Sequence, residues 1–200
     1  MEVILASRNQ GKLREFRELF AGSGVELRPL SDFSQVGELK EEGATFLENA
    51  QAKAHTVAGQ TSLPALADDS GLEVAALGGR PGVFSARYAG LPASDEANFL
   101  KLLSELAGTP ESEREAAFVC VLVLAWPEGR ELTAEGRCEG RIAAAPQGDG
   151  GFGYDPVFYL PDYQATMAQL GPKIKNSISH RAKAAARLRR MIEEAGLIGE

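Results

Sequence analysis

ALADDSGLEVAALGGRPGVFSARY, residues 65–88, opens as a short apolar run, breaks into two aspartates and a small polar turn, and passes into a glycine-rich loop. Ala65, Leu66 and Ala67 suit the end of a buried strand, and Asp68-Asp69-Ser70-Gly71 supplies the turn residues that stop it. In open α/β sheets ligands bind in the crevice outside the carboxyl ends of the strands, so two acids at such an end can meet a metal or a ligand. The same four letters also make an Asx-type turn with solvated acids. Taken alone, the tetrapeptide leaves both readings open.

The whole chain sets bounds on what surrounds this stretch. Two hundred residues with 44% hydrophobic and 24% charged side chains fit one domain, or two intimately packed lobes, with no linker to separate them. A net charge of -7 argues against general nucleic-acid binding, which needs clustered Lys and Arg. It leaves a small anionic substrate open, because local charge decides that. Residues 1–7 lack the features of a signal peptide, and the longest apolar run, residues 116–126, falls short of the roughly 20 residues of a membrane helix. The expectation is therefore a cytoplasmic protein with no membrane partner. Cys120 and Cys138 imply neither a disulfide framework nor a zinc cluster.

On the N-terminal side of the stretch, residues 2–6 (EVILA) read as a strand running into Ser7, Arg8, Asn9, Gln10, Gly11 and Lys12. A helix over 12–20 follows, with Leu13, Phe16, Leu19 and Phe20 on one face. Strand, polar loop and helix start make an anion-binding geometry, with free N–H groups and the positive dipole end facing the loop. An ordinary strand-to-helix turn carries the same residues. A short strand is expected over 25–28, ended by Pro29. Thr45-Phe46-Leu47-Glu48 is a capping box that opens a helix to about Gly59, with Asn49 and Lys53 four apart on one face. Facing a cleft, Lys53 holds phosphate; facing water, it does nothing. His55 reads as structural.

On the C-terminal side, residues 78–82 (GGRPG) form a loop that permits close backbone approach, and Ser94 caps a helix carrying Phe99, Leu102, Leu103 and Leu106. Residues 117–125 (AFVCVLVLA) suit a central strand buried on both faces, and 131–142 its antiparallel partner across a turn at 127–129. In GDGGFG, residues 148–153, Phe152 is either a platform that stacks on a flat ligand or an aromatic tucked beneath its hairpin. Residues 173–181 (KIKNSISHR) precede a basic helix running to about Ala195, capped by Ser177 or Ser179. His180 and Arg181 then stand in its first turn, where positive charge opposes the dipole unless an anion or polar ligand compensates. Lys183, Arg187 and Arg190 form a solvated face.

SRNQGK, EEGATFLENAQAKA, ALADDSGLEVAALGGRPGVFSARYAG, GGFGYDP and KNSISHR, in this order over nearly the whole chain, resemble the inosine/xanthosine triphosphate pyrophosphatases. The resemblance implies an elongated mixed α/β fold, with a long central mixed sheet and two lobes enclosing an active-site cleft, and a homodimer. It also implies Mg²⁺-dependent hydrolysis of ITP, dITP and XTP to the monophosphate and pyrophosphate, which removes deaminated purines from the nucleotide pool. Ser7, Arg8, Asn9, Gln10, Gly11 and Lys12 match the family's triphosphate loop, and Lys53 and Lys175 match lysines that contact phosphate. Asp69 matches the catalytic acid and metal ligand, Glu41 a metal-side carboxylate and Ser70 a substrate contact. Phe152, Gly153, Tyr154 and Asp155 match the base-stacking segment, and His180-Arg181 the pair that reads the purine's oxo edge.

The sequence departs from the pattern in two places. Glu42 stands where threonine is common, which leaves open whether Glu41 or Glu42 faces the metal, and Lys173-Ile174 replaces a commonly acidic stretch. Two rivals remain: a nucleotide-binding module without turnover, and a related pyrophosphatase for modified pyrimidine nucleotides. The set Asp69, Lys12, Lys53 and Lys175 argues against the first.

Overall fold

Alternating short apolar segments and amphipathic helices build the architecture seen in a computed structural model, which describes residues 1–198. The strands are β1 (Glu2–Leu5), β2 (Glu26–Pro29), β3 (Ala65–Val74), β4 (Glu115–Ala125), β5 (Glu131–Ile142), β6 (Phe158–Leu160) and β7 (Ala165–Thr166). They form one sheet in the order β2-β1-β3-β4-β5-β6-β7. β1 runs parallel to β2 and to β3, with Ile4 opposite Ala65 and Leu5 opposite Leu66. β6 is antiparallel to both β5 and β7, so the sheet is mixed. Between the neighbours β4 and β5, Trp126 N–H donates to Arg130 O; so short a connection suits only an antiparallel hairpin. The helices are α1 (Gln10–Leu19), α2 (Phe46–Thr61), α3 (Asp95–Glu105), α4 (Pro172–Ile178) and α5 (His180–Glu194). Among the described residues, no helix is long and apolar enough to cross a membrane.

Two compact units share this chain. The first comprises Met1–Asp69, Cys120–Gly136 and the described residues from Arg181 on; the second comprises Ser70–Val119 and Arg137–His180. The first unit's core joins Val3 and Leu5 of β1, Leu13 and Phe16 of α1, Leu66 of β3 and Leu188 of α5. Phe16 is fully buried in it. Phe16→Ala is expected to lower stability by about 3–5 kcal/mol, the usual cost of emptying a phenyl-sized volume in a core; the midpoint of urea unfolding measures it. The second unit's core is built on Leu72 and Val74 of β3, Leu102 of α3 and Leu106 at its C-cap, Phe118, and Phe158 of β6.

The largest departure from the sequence reading falls on the decisive stretch itself. β3 does not stop at Ala67: it runs through Asp68, Asp69, Ser70 and Gly71 to Val74, with no turn at the DDSG tetrapeptide. The solvated-turn reading fails with it, because Asp68 and Asp69 are 2% and 8% exposed. Turn chemistry favours Asp where its carboxylate bonds its own backbone or meets water. Here cationic and amide side chains from α1 and α2 bond both carboxylates, so the strand continues. The sequence reading also leaves out α4, a short helix directly ahead of α5; Ser179, with ψ at 153°, breaks the two apart.

Candidate active site

Strand alternation sorts the two aspartates. Successive side chains on β3 point to opposite faces of the sheet. Leu66 packs with Leu13 and Phe16 of α1, and Asp68, two residues on, shares that face and accepts from Lys12 Nζ at 2.8 Å. Asp69 points the other way, where α2 lies. Asn49 Nδ2 donates to its Oδ2 at 3.0 Å, and Lys53 Nζ stands 3.4 Å from its Oδ1.

α2 begins at a cap close to the expected one. Thr45 Oγ1 accepts from Glu48 N–H at 3.1 Å, but Glu48 Oε2 reaches back to Ala44 N–H, one residue before the cap. The helix ends at Thr61, with Ser62 in the left-handed region. Lys53 is 5% exposed and also pairs with Glu41 Oε1 at 2.6 Å. Of the two adjacent acids it is therefore Glu41 that this lysine meets. Glu42 stands in the open, 3.5 Å from Lys40.

Burial and charge drive these groups to different protonation behaviour. Burial pushes the Lys53 ammonium down, but Asp68, Asp69 and Glu41 outweigh it and hold the group above its ordinary value. Burial pushes the Asp68 carboxyl up, yet Lys12, Arg181 and Lys53 overcome it and hold that carboxyl far below the usual range. For Asp69 burial prevails: its carboxyl lies above the usual range despite Lys53 and Asn49. Paired carboxyls whose surroundings push their affinities for protons apart are a common basis of acid–base division of labour.

A cavity of about 350 Å³ in the first unit is lined by Ser7, Arg8, Lys12, Glu41, Lys53 and Asp68, among others. Asn9 caps α1 and its Oδ1 accepts from the N–H groups of Gly11 and Lys12 at 2.8 and 3.1 Å. Those two amides are thus committed to the cap, and the positive groups that remain at the loop are the side chains of Arg8 and Lys12. Gln10 opens the helix, and Arg8 donates to Val36 O at 2.7 Å. Arg181 pairs with Glu15 of α1 at 3.2 Å, so a carboxylate of this chain compensates its place at the start of α5.

The second unit holds the remaining residues. Ser70 follows Asp69 along β3. Phe152 is 56% exposed, which overturns the reading that tucks it beneath the hairpin. Its N–H donates to Asp155 Oδ2 at 3.0 Å, Asp155 also binds Lys175 Nζ, and that ammonium lies 4.6 Å from the Phe152 ring centre. Gly151 has φ at +81°, and a Cβ there would stand 2.0 Å from Asp155 Oδ2, so the tight turn under Phe152 requires glycine. Gly153 N–H donates to Asp95 at the start of α3, and the buried Tyr154 hydroxyl donates to Ser85 O. His180 stacks on Phe118 with ring centres 5.1 Å apart.

Sequence reasoning missed three supports: the Asn9 cap, Asp95 and the carboxamide of Asn49. The first had a signal, since asparagine two residues before Gly-Lys is a good helix cap. The other two act on partners distant in the chain. His55 is structural as expected, and meets Glu131 at 2.7 Å beside Gln51, which bonds the same carboxylate.

The chain belongs to the Ham1 family, which its residues 3–191 match. The dITP/XTP pyrophosphatase of Geobacillus kaustophilus (strain HTA426) is 52% identical over 193 residues, 96% of this chain and 95% of that protein. The dITP/XTP pyrophosphatase of Geobacter sulfurreducens (strain ATCC 51573 / DSM 12127 / PCA) is 51% identical over 94% of each. Among solved structures, a HAM1 protein from Coxiella burnetii superposes with a TM-score of 0.91 at 46% identity, over 97% of this chain and 99% of its own. The Ham1 protein of Staphylococcus aureus gives 0.90 at 42% identity, over 98% and 100%.

Proposed function

We propose that this chain hydrolyses the non-canonical purine nucleoside triphosphates ITP, dITP and XTP to the monophosphate and pyrophosphate, and so removes deaminated purines from the nucleotide pool. The observation that carries the reading is the divided pair on β3: Asp68 is pinned as an anion by Lys12, while Asp69, pushed the other way by burial, shares Lys53 with Glu41.

Mg²⁺ suits these donors. Glu41 and Asp69 are hard oxygen ligands that already converge on one cationic atom, Lys53 Nζ. Among the described residues no cluster of three or more His, Cys, Asp or Glu forms a dedicated cage, and Mg²⁺ is commonly held by one or two carboxylates together with substrate phosphates. When bound, the ion offsets negative charge on the phosphates. Glu41 and Asp69 would hold it.

The chain's own groups carry the rest. Asp69 accepts a proton from the attacking water, which a carboxylate raised above its ordinary range does more readily near neutral pH. Lys53 and Lys12 meet the charge that develops as the bond between the α and β phosphates breaks. Ser7 to Lys12, Ser70 and Lys175 contact the substrate, and Phe152 to Asp155 receive the base. His180 and Arg181 donate to the purine's 6-oxo group; adenine offers a donor there, and each unpaired group costs about 1–3 kcal/mol. The chain works as one catalytic domain in the cytoplasm, and as a homodimer. The acidic composition argues against a nucleic-acid partner, and the resemblance supports the nucleotide substrate and the dimer.

One assay tests the reading. With Mg²⁺, ITP, dITP and XTP are expected to release pyrophosphate, while the standard triphosphates and modified pyrimidine triphosphates release little. Orthophosphate as product would change the reaction class, and no release would leave a binding module. Arg181→Ala is expected to narrow the preference for ITP over ATP by about tenfold or more, the worth of one lost hydrogen bond to a charged group; kcat/KM for the two substrates gives the ratio.

A further inference from the structure

We propose that Asn49 is a positioning residue of this site, whose single carboxamide fixes the catalytic carboxylate of Asp69 and the segment carrying Glu41 together. The inference rests on the pyrophosphatase reading, since it takes Asp69 as the base. Asn49 is 2% exposed on α2. Its Nδ2 donates to Asp69 Oδ2 at 3.0 Å, and its Oδ1 accepts from the Gly43 N–H at 2.8 Å. A carboxylate only accepts and a backbone N–H only donates, so the amide has one orientation that satisfies both. An aspartate there would set a second carboxylate against Asp69; an apolar residue of the same size would leave both partners without this bond.

Lys53, one turn further along the same face, repeats the arrangement. It reaches Asp69 through Oδ1 and the same loop segment through Glu41 Oε1. Each oxygen of Asp69 therefore has one partner from α2, and the segment is held at two points, a backbone N–H and a side chain. Residues 36–43 form neither helix nor strand, so nothing in a helical or strand ladder fixes Glu41. Gly43 makes the backbone anchor possible: a Cβ there would stand 2.8 Å from Asn49 Oδ1 and 2.7 Å from Glu48 Cβ. The segment lies directly against the first turn of α2, and only glycine permits it.

Asn49→Ala and Gly43→Ala attack one link from its two ends. In the full chain with ITP at saturating Mg²⁺, Asn49→Ala is expected to lower kcat by about 10- to 100-fold, with KM for the nucleotide unchanged. Binding of Mn²⁺ without nucleotide, followed by electron paramagnetic resonance, is expected to weaken by a similar factor. Gly43→Ala moves both quantities in the same direction. The double variant falls no further than the more impaired single one, because both remove the same connection. Variants that lose thermal stability while kcat and Mn²⁺ affinity stay at the wild-type level overturn the proposal, as does a double variant whose losses multiply. Should Asn49→Ala fail to fold, Gly43→Ala decides by the same two readouts, since it leaves the carboxamide in the chain. Absence of pyrophosphate release by the wild-type protein would sink the functional reading instead, and the Mn²⁺ measurement would still test the positioning.

Discussion

Asp69→Asn is expected to lower kcat by at least about 100-fold while leaving the fold intact, the range for a lost acid–base group. The substitution keeps the shape of the side chain inside β3 and removes two things: the lone pair that takes a proton from water, and the negative charge that faces Lys53. The amide still offers one oxygen to Asn49 Nδ2, so the contact that ties β3 to α2 survives in part. Asp68 cannot take over. It lies on the opposite face of the strand, and Lys12, Arg181 and Lys53 hold its carboxyl so far down that it is a poor proton acceptor. Pyrophosphate release from ITP gives kcat, and circular dichroism with thermal unfolding checks the fold. Near-normal turnover in a folded variant would remove Asp69 from the role of base.

The sequence carried the elements well where one residue's periodicity or capping chemistry decided them. β5 spans residues 131–142 as expected, Ser94 caps α3, and Thr45 caps α2. It failed at DDSG because local turn preference and tertiary pairing pull in opposite directions there. No local signal says that Lys12, Asn49 and Lys53 will satisfy two buried carboxylates, and without those partners the turn reading wins. The first turn of α1 taught the converse lesson. The residues of an anion-binding loop are legible, but Asn9, a residue of that loop, caps the helix and occupies two of the N–H groups the loop reading takes as free. At α5 the expected compensating anion proved to be Glu15, a partner 166 residues away that no window on the sequence contains. Phe152 was undecidable between core and platform because burial is a property of the fold, and its exposure settles that point alone.

Lys53→Met separates the two tasks that the buried ammonium performs. The substitution keeps an unbranched side chain of similar length and deletes the charge shared by Glu41 and Asp69. Where Lys53 meets developing phosphate charge directly, kcat is expected to fall by about 10²–10³, the cost of removing one donor aimed at a transition-state oxyanion. Its second effect runs through Asp69. Burial raises that carboxyl and Lys53 is the leading influence that lowers it, so without the ammonium the carboxyl rises further, helped by Glu41 and Asp68. A base works only when deprotonated. The acidic limb of the kcat/KM profile, which reports the free enzyme, therefore moves to higher pH in the variant, and part of the lost activity returns as pH is raised. What does not return on the alkaline side of that limb measures the direct action of the ammonium on the phosphates. A profile that keeps its limb in place while kcat falls would assign Lys53 to phosphate alone; a limb that shifts with full recovery would assign it to tuning Asp69 alone. The geometry, with one nitrogen between two carboxylates at 2.6 and 3.4 Å, leads us to expect both components.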